Sequence, residues 1–63
     1  MATLTQPLLL TVEQAARHLG IGRSMAYRLV GEGAIKSIKV GRLRKVPVSS
    51  LVEYVEQGLQ AEI

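Results

Sequence analysis

The chain has 63 residues, 48% of them hydrophobic, with no cysteine, a single histidine and a formal charge of +3. A polypeptide this short buries only about 60% of the surface it exposes when unfolded, which argues for one domain and against a deep catalytic cleft, so no enzymatic activity is expected. Without cysteine, and with His18 as the lone imidazole, there is no material for a disulfide or a zinc site, and no metal or cofactor is expected.

Met1 to Pro7 shows no periodicity and reads as an N-terminal arm. The apolar run "PLLL" is far below the roughly 20 residues of a membrane span, and the start lacks a secretory signal's basic flank and cleavage site. A cytoplasmic protein without membrane contact is expected. "TVEQAARHLG" then opens with a capping-box pair, Thr11 and Gln14, ahead of Val12, Ala15, Ala16 and Leu19 on one helical face. Gly20 supplies the stop, and Ile21 can fold back on the last turn.

Only Gly20, Ile21 and Gly22 separate this helix from a second, "RSMAYRLVGEG", whose buried stripe is Ala26, Leu29 and Val30 and whose stop is Gly33. Two short helices joined by so tight a turn form a helix-turn-helix signature. Ser24, Tyr27, Arg28 and Gly31 point away from the stripe, with Arg23 beside them in the first turn. A cation there opposes the helix dipole, so local stability does not explain Arg23.

After Ala34 the period changes to two. "IKSIKV" and "LRKV" alternate apolar with polar residues around Gly41-Arg42, which suits a two-residue hairpin turn, and Pro47 closes the second strand. The register is open by one. "SSLVEYVEQGLQAEI" follows with a serine cap at Ser49 or Ser50 and with Leu51, Tyr54, Val55 and Leu59 on one face of a third helix that returns over the hairpin base.

Charge is segregated along this order. Gly33 to Val52 contains no carboxylate but holds Lys36, Lys39, Arg42, Arg44 and Lys45, five of the eight cationic side chains, whereas Glu53, Glu56 and Glu62 collect after it. Lysine and arginine on a hairpin also protect its edge from aggregation. Mixed signs would serve that purpose as well, so the unmixed block points to an anionic partner.

Helix, tight turn, helix, hairpin, helix is the order of a small α+β fold, the winged helix-turn-helix, with one domain over residues 8–60 and a tail at 61–63. In such folds the second helix enters the major groove of duplex DNA and the wing follows the backbone or the adjacent minor groove. Arg42 at the turn tip is then placed for a minor-groove or phosphate contact, and Lys39, Arg44 and Lys45 for phosphates. Arg28 is the best candidate for a base contact; its alternative is an ion pair with Glu32 at i+4. Tyr27 either hydrogen-bonds phosphate or base or folds its ring over the turn. Arg17 either touches phosphate or pairs with Glu13, His18 reads as a helix-surface residue, and Ser49 and Ser50 as caps.

Residues 10 to 55 resemble the excisionase-type DNA-binding domains, relatives of the MerR-like winged helices. The resemblance rests on "T-x-E-x-A-x-x-L-G" in the first helix, "YRLV-x-x-G" in the second and "K-x-G-R-x-R-K-V-P" through the wing. It implies a recombination directionality factor that binds repeated sites near an attachment site, bends the DNA, associates head-to-tail along it and assists an integrase in excision. It also places recognition-helix contacts on Arg23, Ser24, Tyr27 and Arg28, and the wing-tip contact on Arg42. Two departures stand out: Gly22 occupies a position where many relatives carry a serine or threonine cap, and the aromatic many relatives have near Leu43-Arg44 is absent. The alternatives are a small MerR-like transcriptional regulator, which would usually append a dimerising coiled coil absent here, and a protein-interaction module built on the acidic third helix.

Overall fold

The computed structural model describes residues 8–61. The arm expected over 1–7 and the end of the tail, 62–63, lie outside the described residues, and Ala61 is the last residue of a helix. In chain order the elements are β1 (Leu9–Leu10), α1 (Val12–Leu19), α2 (Arg23–Glu32), β2 (Ile38–Val40), β3 (Leu43–Pro47) and α3 (Val48–Ala61). They form three helices and an antiparallel three-stranded sheet of order β1-β3-β2, a small α+β helix-turn-helix fold with a hairpin wing.

The start of α1 follows its sequence signals closely. The Thr11 hydroxyl accepts from the Gln14 amide at 3.0 Å, and the Gln14 side chain accepts from the Thr11 amide at 2.9 Å, so two of the orphan donors at the helix start are satisfied. Both α1 and α2 end in the same way. Gly20 and Gly33 take φ of 72° and 84°, and the amides of Ile21 and Ala34 reach back to the carbonyls of Ala16 and Leu29. This is the left-handed Schellman closure that glycine adopts without a Cβ penalty. It turns the chain sharply enough for Ala15, Ala16 and Ala26 to be buried where the two helices meet. Small side chains there let α1 and α2 approach closely.

The core is completed by Leu10, Val12, Ile35, Val46 and Leu51. Leu10 enters it from β1, a strand absent from the sequence reading, which pairs Leu9 with Pro47 and Leu10 with Val46. Ile35 enters it from the connection after α2. The expected strand from Ile35 therefore begins only at Ile38, because the Ile35 amide still bonds the Leu29 carbonyl and its side chain fills the core.

Two expectations about α3 are corrected. The helix starts at Val48 directly after β3, so Ser49 and Ser50 lie inside its first turn instead of capping it, and the Val48 amide donates to the Leu8 carbonyl at 3.0 Å. Leu8, just before β1, thus accepts from the first amide of the helix. Of the predicted buried face, Leu51 is buried and Tyr54 half-buried, whereas Val55 and Leu59 are 47% and 66% exposed. The helix continues through Gln57 to Ala61, past the residues of β3 and α1 that cover its first half.

Candidate nucleic-acid interface

All four residues expected to act from α2 lie on its exposed side: Arg23, Ser24, Tyr27 and Arg28, while Ala26 is fully buried beneath them. Gly22 caps the helix without a side-chain hydrogen bond, and no acidic residue occupies its first turn. The positive end of the helix dipole, with Arg23 added, is therefore left open to an anion.

Arg28 faces Glu32 with Nε to Oε2 at 3.6 Å, and both side chains are more than half exposed. An exposed i,i+4 pair of this kind contributes only about 0.2–0.5 kcal/mol, so it holds Arg28 along the helix surface without committing it. The Tyr27 hydroxyl donates to Glu13 Oε2 at 2.7 Å, bridging α2 to the first turn of α1. This bond to Glu13 was not anticipated from the sequence, and Tyr27 remains 49% exposed. Hydrogen bonding from Tyr27 is the main cause holding the Glu13 carboxyl below the usual range, with Arg23 and Arg17 adding smaller attractions, and the same bond raises the Tyr27 phenol. Arg17 makes no ion pair with Glu13 among the described residues; it acts on it only at a distance. His18 bonds the Gln14 carbonyl at 2.8 Å from its Nδ1, as a helix-surface residue would.

On the wing, Val40 pairs with Leu43 around the two-residue loop Gly41-Arg42. Gly41 has φ of 61° while Arg42 is not in the positive-φ region, the pattern of a type II′ turn, which needs glycine at its first central position. Arg42 stands at the tip. The register sets Lys39 opposite Arg44, and Ile38 opposite Lys45. Directly opposed residues share a face and successive residues alternate, so Lys39 and Arg44 are together and Lys45 is on the other side. That other face also carries Ile38, Val40 and Leu43, all 45–59% exposed.

Of the five wing-region cations, Lys36 is used internally, 3.5 Å from Glu53 on α3. Arg44 donates to the Ser37 hydroxyl at 3.4 Å. Among the described residues, Arg23, Lys39, Arg42, Arg44 and Lys45 have no carboxylate partner. The opposed pair Lys39 and Arg44 is also locally unfavourable, since like charges directly across a ladder repel. Glu13 was missed as a member of this surface; its one signal was an acid in the first turn of α1, which the dipole alone accounts for.

A helix-turn-helix with an exposed second helix and a cationic wing defines the class of this protein. A family model described as "Helix-turn-helix domain" matches residues 9–59. Two curated relatives are similar: a "Probable excisionase" of Saccharopolyspora erythraea, 47% identical over 51 residues, and an "Excisionase" of Streptomyces ambofaciens, 36% identical over 59 residues. The matched part is 81% of this chain and 52% of the first relative, and 94% of this chain and of the second. The chain thus spans about half the length of one relative and nearly all of the other. It belongs to the excisionase family of helix-turn-helix proteins. No solved structure gives a significant match. No helix among the described residues is long and apolar enough to cross a membrane.

Proposed function

We propose that the protein binds duplex DNA in a sequence-specific manner and acts as an excisionase, assisting an integrase to excise a mobile element. The observation that carries this reading is the opposed, exposed pair Lys39 and Arg44, which repels itself and has no carboxylate beside it. A phosphate between the two cations converts that repulsion into binding energy. Arg42 at the tip and Lys45 on the reverse face extend the contact to neighbouring phosphates or the minor groove. Arg23, Ser24, Tyr27 and Arg28 belong to the major groove, with Arg28 leaving its weak pair with Glu32 to bond a guanine. It acts in the cytoplasm.

A body 39 Å in its longest dimension covers about one turn of duplex. One copy therefore reads too little sequence for high specificity, and adjacent copies bind cooperatively and bend the DNA between them. The apolar strip Ile38, Val40 and Leu43, flanked by Lys45, suits the open apolar groove between α1 and α3, lined by Leu19, Leu51, Val52 and Val55 with Glu56 at its rim. Head-to-tail association would bury both.

The test is an integrase reaction on paired left and right attachment sites of the element that encodes this chain. Excision should rise on adding the protein and should not rise with Lys39→Glu. Equal excision with and without the protein would contradict the proposal.

A further inference from the structure

Tyr27 has one proton to give, and the 2.7 Å bond gives it to Glu13. A phenol so committed presents only oxygen lone pairs to its surroundings. Phosphate oxygens, guanine O6 and N7, and thymine O4 are all acceptors, and none can bond such an oxygen. The major groove offers it two kinds of donor, the N6 amino group of adenine and the N4 amino group of cytosine. The ring is 49% exposed on the outer side of α2, one residue before Arg28. Glu13 is itself half-buried beside it and carries its charge within the field of Arg23 and Arg17.

We infer that Tyr27 and Glu13 together form a base-reading pair: Glu13 accepts the phenolic hydrogen bond, so that the Tyr27 oxygen is left to accept from adenine or cytosine, while the carboxylate charge keeps phosphate away from that spot. This rests on the DNA-binding reading above. Tyr27 is the contacting residue and Glu13 the positioning one. The raised phenol and lowered carboxyl agree with this assignment of the proton, which stays on Tyr27 at neutral pH. The arrangement sets Tyr27 apart from the phosphate contacts that make up half or more of protein–DNA hydrogen bonds.

The experiment is selection of duplexes from a randomised pool by the wild-type chain, Tyr27→Phe and Glu13→Leu, with thermal melts to confirm folding. Wild type should yield one position confined to adenine or cytosine on one strand. Tyr27→Phe should lose that preference by about 2- to 10-fold while keeping the others, the change expected for one hydrogen bond. Glu13→Leu frees the proton, so the same position should shift toward guanine or thymine, and Glu13→Gln should tighten binding to random duplex by up to about fivefold. A duplex whose base at that position lacks its exocyclic amino group should weaken wild type and leave Tyr27→Phe unchanged, a comparison that does not depend on variant stability. An unaltered preference in Tyr27→Phe, or adenine and cytosine retained by Glu13→Leu, would overturn the pair. Wild type failing to bind any duplex would instead remove the DNA-binding reading itself.

Discussion

At Lys39 and Arg44 stability and binding are set against each other. The two cations face one another across the hairpin, so Lys39→Glu should stabilise the free protein by about 0.2–1 kcal/mol, read as a higher Tm, while weakening DNA binding. A purely structural role would move both in the same direction. Arg28→Ala removes the proposed base reader, whose one ion-pair partner among the described residues is an exposed glutamate. Its preference for a selected duplex over random DNA should fall by about 1–3 kcal/mol in competition titrations, with Tm nearly unchanged. The Tyr27 and Glu13 bond makes stability depend on pH at both ends. Glu13 titrates lower in the folded chain than in the unfolded one, so its contribution is complete above the unfolded value and fades as pH falls through the folded one. Tyr27 titrates higher when folded, so its contribution holds below the ordinary phenol value and is lost as pH rises through the raised one. The Tm gap between wild type and Tyr27→Phe should accordingly be widest at neutral pH and narrow toward both extremes.

Among the elements, α2 starts without a side-chain cap. Its cap is Gly22, which offers no side-chain acceptor, although its φ of −73° and ψ of 158° are those any residue adopts at a cap, and a Cβ there meets nothing within 4 Å. Gly22→Ser should therefore add a few tenths of a kcal/mol, about 1–3 °C in Tm for a domain of this size. Gly33→Ala should do the opposite. Space is free around it, but φ of 84° is left-handed, and a Cβ there costs about 1–2 kcal/mol through the backbone alone. The helices, their glycine stops and the hairpin turn were legible in the sequence because each rests on local chemistry within a few residues. Strand β1 was not, because two leucines become a strand only through pairing with Val46 and Pro47, far along the chain. The start of α3 failed for the same reason: Leu8, not a serine, satisfies its first amide. Ile35 fits an alternating strand pattern by sequence, and only the closure of α2 draws it into the core.

At the scale of the whole molecule, charge is segregated along the chain, with cations concentrated on the hairpin and acids on α3. The hairpin from Ile38 to Pro47 holds Lys39, Arg42, Arg44 and Lys45 with no carboxylate, α2 holds Arg23 and Arg28 with Glu32 as its one acid, and α3 holds Glu53 and Glu56, of which Glu53 is tied to Lys36. The sequence disclosed the cationic block and the outward face of α2, since both follow from composition and helical period. It did not disclose which cations share a face, because that is set by the hairpin register, nor the link from Tyr27 to Glu13, 14 residues apart. The central claim is that helix and wing grip one duplex through its phosphates. Fluorescence anisotropy of a labelled duplex, titrated from about 50 to 200 mM salt, tests it most directly. The account predicts that log K falls linearly with log salt concentration with a slope between about −3 and −5, and that Arg42→Ala flattens it by about one. An affinity indifferent to salt, or a slope that Arg42→Ala leaves unchanged, would contradict it.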